Sequence, residues 1–202
     1  MKRLAEGLKL ILRCLYRALI RDMPTVISRD CIGGVLYKRM GAQFTSPTIN
    51  LYMTNEDFLL FCANLELFLL KSLEQEKSDR AYPVGLIRSD LGDVHLYFIH
   101  YLSFEEAKAC WERRKARVNY SNIILIMNAE NDANEAVIQR FNCLPYKKIL
   151  LTSNAKRNHN VVNLRCYQNG YRGPLVAYRS KRLPVLRYMD EVNWIYFLNS
   201  NQ

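Results

Sequence analysis

The stretch Ser28-Arg29-Asp30-Cys31-Ile32-Gly33-Gly34 puts a hydroxyl, a carboxylate, a thiol and two glycines into one short turn. It follows the apolar run Thr25-Val26-Ile27, which reads as a buried strand, and precedes Val35–Met40, which reads as a brief helix. In open α/β sheets a ligand sits at the carboxyl ends of strands, where turns lead into helices. Two glycines let the backbone pass close to a ligand, and a helix N-terminus offers unpaired N–H groups to an anion. Ser28 and Asp30 suit a hydroxyl or a metal-bound phosphate. Cys31 at a helix start is expected to have a lowered thiol pKa and to serve as a nucleophile. The plain alternative is an ordinary turn with a packed cysteine, and the stretch matches neither a P-loop nor a G-x-G-x-x-G fingerprint.

His100-Tyr101 ends another strand, and an imidazole there is a candidate general base. A histidine that merely caps a strand is its structural counterpart. His95 and His159 are not assigned a role. A third group surrounds Trp111, where Arg113 and Arg117 stand one helical turn apart and can clamp a phosphate. Arg114 and Lys115 crowd the same helix end, and cations there also complement the helix dipole.

These groups need elements to position them. Ile49 to Met53 is expected as a second strand, and Thr54 caps a long helix Glu56–Leu73, apolar in its middle. Tyr82–Ile87 and Val94–His100 flank Ser89-Asp90-Leu91-Gly92-Asp93 as a hairpin. Ser103 and Glu106 form a capping box for a helix from Phe104 to about Val118. Asn122–Met127 is a continuous apolar strand of the kind covered on both faces. A helix from about Asn134 to Phe141, strands Lys147–Thr152 and Val161–Cys166, and a tail with Trp194-Ile195-Tyr196-Phe197 packing back complete the chain. Strands alternating with helices imply an α/β fold: one three-layer domain, residues 23–202, with a mixed, mostly parallel sheet.

Residues 1–22 are expected as a basic amphipathic helix preceding that domain. Lys9, Arg13, Arg17 and Arg21 recur every four residues on one side, and Leu8, Leu12, Leu15 and Leu19 on another. Four cations exclude a membrane span, which needs about 20 mostly apolar residues. The pattern suits a helix lying in a membrane interface through residues 4–21, or else one docked on the domain.

The 202 residues carry a net charge of +10, which points to an anionic partner: a phosphorylated small molecule, a phospholipid surface or, less well, a nucleic acid. No helix-turn-helix, RNP-like or zinc-finger motif supports the last. The six cysteines show no C-x-x-C spacing and no histidine at zinc-finger distance. No small-residue cleavage site follows the first helix, so reduced thiols in a cytoplasmic protein are expected, peripheral at most to the inner face of the membrane.

The ordered set resembles a bacterial family, domain of unknown function 1919, often associated with capsule and exopolysaccharide synthesis. The resemblance is carried by Ile27-Ser28-Arg29-Asp30-Cys31-Ile32-Gly33-Gly34 with Tyr37, then Ser46-Pro47-Thr48, Tyr82-Pro83-Val84-Gly85 and His100-Tyr101. It continues through Glu105, Glu106, Trp111, Arg113, Arg114 and Arg117 to Asn122-Ile123-Ile124, Phe141 and Leu144-Pro145-Tyr146. It spans roughly residues 25–153 and departs from the family pattern at Asp30, where asparagine is expected. It implies an α/β fold and a setting in surface-glycan assembly, and adds Tyr37, Ser46, Thr48, Tyr101 and Trp111 to the candidate substrate-binding residues.

The expected activity is a transferase acting on a glycan acceptor with a nucleotide-sugar or other phosphate-bearing donor. The Ser28–Gly34 turn and Arg113 with Arg117 would hold the donor, and His100 would be the base. Cysteine-dependent acyl transfer through Cys31 and a non-catalytic accessory role in polysaccharide assembly are the alternatives. No D-x-D element is present, no metal ligands are assigned, and neither cofactor nor oligomeric state is specified by the sequence.

Overall fold

A computed structural model describes residues 2–130, 133–153, 155 and 158–200. Helix α1 (Lys2–Leu19) leads into strand β1 (Thr25–Ser28) and helix α2 (Ile32–Met40). Helices α3 (Asn55–Ala63) and α4 (Leu65–Leu70) follow, then strands β2 (Glu74–Glu76), β3 (Val84–Ile87) and β4 (Val94–Tyr97). Helix α5 (Phe104–Lys115), strand β5 (Ile123–Glu130), helix α6 (Glu135–Asn142) and strands β6 (Lys147–Thr152) and β7 (Val161–Asn163) come next. Helix α7 (Arg165–Gln168), a 3-10 turn (Tyr188–Glu191) and helix α8 (Trp194–Asn199) close the described chain.

The fold is α/β with interleaved helices and strands. Strands β1, β5, β6 and β7 form a sheet in the order β1-β5-β6-β7, with every pairing parallel. The hairpin does not join it; β2, β3 and β4 form a separate antiparallel sheet. Strand β5 shows why the large sheet must be covered twice. Its Ile123, Leu125 and Met127 enter one core with α3, α4, α5, α6 and the small sheet. Ile124 and Ile126 enter a second core with Tyr16, α2, α7 and α8. Alternation with period two sends the side chains of one apolar run to opposite faces, so helices are needed on both.

Local chemistry sets several boundaries. Thr54 Oγ1 accepts from the Asp57 amide at 3.1 Å, Ser103 Oγ from Glu106 at 3.1 Å and Asn134 Oδ1 from Val137 at 2.9 Å, which caps α3, α5 and α6. The apolar run after Thr54 is two helices rather than one. It breaks at Asn64 (φ −131°, ψ 41°), whose side-chain amide donates to the Leu60 carbonyl. Residues 49–53 make only a single bridge, Tyr52 to Tyr97, because Asn50 adopts a left-handed φ of 63° that interrupts an extended strand. The tail packs back as expected: Trp194, Phe197 and Leu198 are buried in the second core, and Arg39 forms a bidentate pair with Asp190. Among the described residues no helix is long and apolar enough to cross a membrane.

Candidate functional site

Strands β1 and β5 are adjacent and parallel, so their carboxyl ends open on the same edge of the sheet. A cavity of about 530 Å³ lies there, within the range of small-ligand sites. Asp30, Cys31 and His100 line it, together with Arg29, Tyr52 and Asn128. Tyr167 and the Arg172–Val176 segment close the side contributed by the later part of the chain.

Its floor is a hydrogen-bonded network. Arg29, nearly buried, donates from Nε to the Met53 carbonyl at 2.9 Å, from Nη1 to the Asn128 carbonyl, and from Nη2 to the Tyr52 hydroxyl at 2.8 Å. One guanidinium thereby ties β1 to the 50–53 segment and to β5, a task suited to its rigid fork of donors. Beside it, Asp30 Oδ1 accepts from the Ile32 amide at 3.0 Å, and Oδ2 accepts from Asn128 Nδ2 at 3.0 Å. Tyr167 donates to Asn128 Oδ1 at 2.7 Å. The carboxylate is fixed at the start of α2, where the helix dipole favours negative charge. His100 is exposed on the wall.

Cys31 is at the N-cap of α2, as its spacing implied, but its thiol is not activated. Burial, and then the neighbouring Asp30 carboxylate, push it up to about 12. A group with that environment is protonated at neutral pH, which corrects the expectation of a lowered thiol pKa.

The structure separates other candidates from the cleft. Ser28 is buried beneath it; its amide donates to Thr48 Oγ1 at 3.0 Å, and its hydroxyl faces Asp30 at 3.4 Å. Ser46 and Thr48 are likewise buried and bonded to each other, so they support β1 from below. Gly33 and Gly34 are in the core, not at the cleft. A Cβ on Gly33 would stand 3.1 Å from Ser28 Cβ, and one on Gly34 would stand 3.5 Å from Ile49 Cγ2. The glycine pair brings α2 close to β1 and the 46–50 segment, which is a packing role. Tyr37 is fully buried, accepting from the Val26 amide at 2.9 Å and donating to the Pro24 carbonyl at 3.0 Å.

The arginine clamp is also absent from the cleft. Arg113 is exposed near Cys110 Sγ, and Arg117 reaches the Phe44 carbonyl at 3.5 Å. Neither lines the cavity. The buried guanidinium of that helix is Arg114, which donates to the Tyr101 hydroxyl at 2.5 Å and covers the Phe44 ring. Tyr101 in turn donates to the Ile49 carbonyl at 3.0 Å, and burial pushes its phenol up. Trp111 is a core residue. The cleft cations are instead Arg29, inside the turn itself, and Arg172, from a loop far along the chain. Asn128 carried one readable signal: it is the first polar residue after the apolar run of β5. Tyr167 and Arg172 carried none. Among the described residues no three His, Cys, Asp or Glu side chains gather as a metal site.

Residues 8–199 match the family described as a domain of unknown function (DUF1919), and the chain belongs to that family. A protein of Haemophilus influenzae, described as uncharacterized, is 34% identical over 141 residues. That alignment covers 69% of this chain and 66% of the relative, so the chain spans just under two thirds of the relative's length.

Proposed function

We propose that this DUF1919 protein is a transferase of cell-surface polysaccharide assembly, using the cleft at the ends of β1 and β5 to hold a nucleotide-sugar or other phosphate-bearing donor. One observation carries the reading: a single cavity of about 530 Å³ collects the Asp30 carboxylate, the His100 imidazole and the cationic Arg29 and Arg172. Its position follows the rule for ligands in open parallel sheets. Arg172 would face donor phosphate and Asp30 would accept from sugar hydroxyls, while Arg29 acts as a positioning residue. The glycan setting (capsule, exopolysaccharide or lipopolysaccharide) is supported by the sequence resemblance alone.

The step requires one base. His100 takes the proton from an acceptor hydroxyl as its oxygen bonds to the transferred carbon. The bond from that carbon to the donor phosphate oxygen breaks, and the phosphate departs with the electron pair. Cys31 is assigned to the wall of the cleft, because a thiol pushed up to about 12 supplies almost no nucleophilic thiolate. Acyl transfer through this residue is therefore the weaker reading.

A panel of nucleotide sugars, free nucleotides and acyl donors tested by thermal shift discriminates the possibilities. Stabilisation by a nucleotide sugar, lost in Asp30→Ala, supports the proposal. Stabilisation by acyl donors alone favours acyl transfer, and no response to any donor favours an accessory role.

A further inference from the structure

We infer that the outer face of α1 seats the protein on an anionic phospholipid surface. An ordinary surface helix turns its apolar stripe toward the domain, but α1 does not. Leu4, Ile11, Leu15 and Leu19 are 45–59% exposed, and Met23 beyond the helix is also exposed. The helix is held to the domain through other residues. Ala5 and Tyr16 are buried, Lys9 lies over the Tyr178 ring at 5.3 Å, and Arg17 lies against Gly41. At 100° per residue, Leu4, Ile11, Leu15 and Leu19 fall within one quadrant, roughly opposite Arg17.

Charge identifies the occupant. Arg3, Arg13, Arg17 and Arg21 are exposed along the same segment, against Glu6 and Asp22 as its acids. A hollow of about 230 Å³ between α1, α2 and the tail is lined by Lys9, Arg13, Lys38, Arg39 and Arg187, of which Lys9 is paired with Glu6 and Arg39 with Asp190. Val185, in the same lining, belongs to a loop whose Lys181, Arg182, Leu183 and Leu186 are exposed. A helix with an exposed apolar face on one side and cations on the other suits the boundary between acyl chains and anionic headgroups. A second copy of the chain carries the same net charge of +10, and like charges oppose that pairing.

The inference is independent of the cleft. Flotation of the full chain with vesicles of phosphatidylglycerol in phosphatidylcholine, or of phosphatidylcholine alone, tests it. Binding to the anionic vesicles only is expected, weakening at high salt. Ile11→Glu with Leu15→Glu should abolish it, and Arg13→Gln with Arg21→Gln should weaken it on the order of tenfold. These positions are exposed, and unchanged thermal melting of the variants verifies folding. His100→Gln should bind vesicles like the parent, so failure of the cleft proposal leaves this result intact. Equal binding to both vesicles, or binding to neither, would overturn the inference. So would a solution dimer that the paired glutamates dissolve.

Discussion

Alanine at Gly33 should be less well tolerated than alanine at Gly34, although the two glycines are neighbours in one helix. The Gly33 Cβ would meet Ser28 Cβ at 3.1 Å and Val26 Cγ1 at 3.5 Å. Ser28 cannot retreat freely, since its amide is bonded to Thr48 and its strand is paired with β5. Relieving the contact requires α2 to lift by a few tenths of an ångström, an overpacking cost of about 1–3 kcal/mol. Helix propensity returns at most about 1 kcal/mol for glycine to alanine. Gly33→Ala should therefore lose up to about 2 kcal/mol, a fall in Tm of up to roughly 8 °C for a domain of this size. At Gly34 the new methyl meets Ile49 at 3.5 Å and Asn50 at 3.6 Å, ordinary contacts. Only the propensity gain remains, so Gly34→Ala should be unchanged or more stable by up to about 1 kcal/mol. Calorimetric melting of the two variants checks this. Equal stabilisation by both would refute the close-packing account of Gly33. A Gly34→Ala protein that melts normally but no longer responds to a ligand bound by the parent would return the glycines to a binding role.

Other perturbations follow from the same geometry. Arg29→Met leaves the Met53 and Asn128 carbonyls and the Tyr52 hydroxyl without their donor, and should cost about 2–4 kcal/mol in urea unfolding; a loss below about 1 kcal/mol would contradict the assigned floor. Cys31 should react with iodoacetamide at pH 8 on the order of a thousandfold more slowly than a free thiol, because its pKa is raised to about 12; rapid labelling would contradict its protonated state. Cys31 and Cys166 (raised to about 11) both favour the neutral thiol in the folded state, so their stabilisation is complete below an unfolded thiol pKa of about 8.5. It is lost as pH climbs from there toward 11–12, and urea midpoints between pH 8 and 10 should fall accordingly. His100→Gln should melt within about 0.5 kcal/mol of the parent, since the side chain is exposed, yet slow transfer by about 10²–10⁴-fold with donor binding retained.

Continuous apolar strands and well-capped helices were readable locally. Lys147–Thr152 has the same bounds in sequence and structure, and Ser103 caps its helix through Glu106 as the capping-box spacing requires. The strand Glu74–Glu76 was not readable, because its charged residues look like a loop and owe their pairing to Gly85 and its neighbours on β3. The cleft was half visible. Asp30, Cys31 and His100 are brought together as their strand-end positions implied, since β1 ends there and the segment after β4 passes it. Tyr37, Ser46, Thr48, Tyr101 and Trp111 share the same motif set but are buried supports, and composition cannot distinguish a buried hydroxyl partner from a ligand-facing one. Arg113 and Arg117 have the right spacing for a clamp on a continuous helix, but α5 ends at Lys115, so Arg117 lies in the turn beyond it and neither lines the cavity, while Arg114 is buried against Tyr101. Tyr167 and Arg172 reach the cleft only through a crossover about 140 residues after β1, which no local pattern encodes.

If the cavity at the ends of β1 and β5 holds a phosphate-bearing donor, as proposed, binding depends on the side chains that line it. Thermal melting with nucleotide sugars, measured on the parent and on Asp30→Ala and Asn128→Ala, addresses it most directly. A cognate donor at about 100 times its Kd should stabilise the parent by roughly 2.7 kcal/mol, raising Tm by about 5–10 °C, and both substitutions should diminish the shift. A shift that survives both substitutions unchanged would place the donor elsewhere, and no shift with any phosphate-bearing donor would show that the cavity holds none.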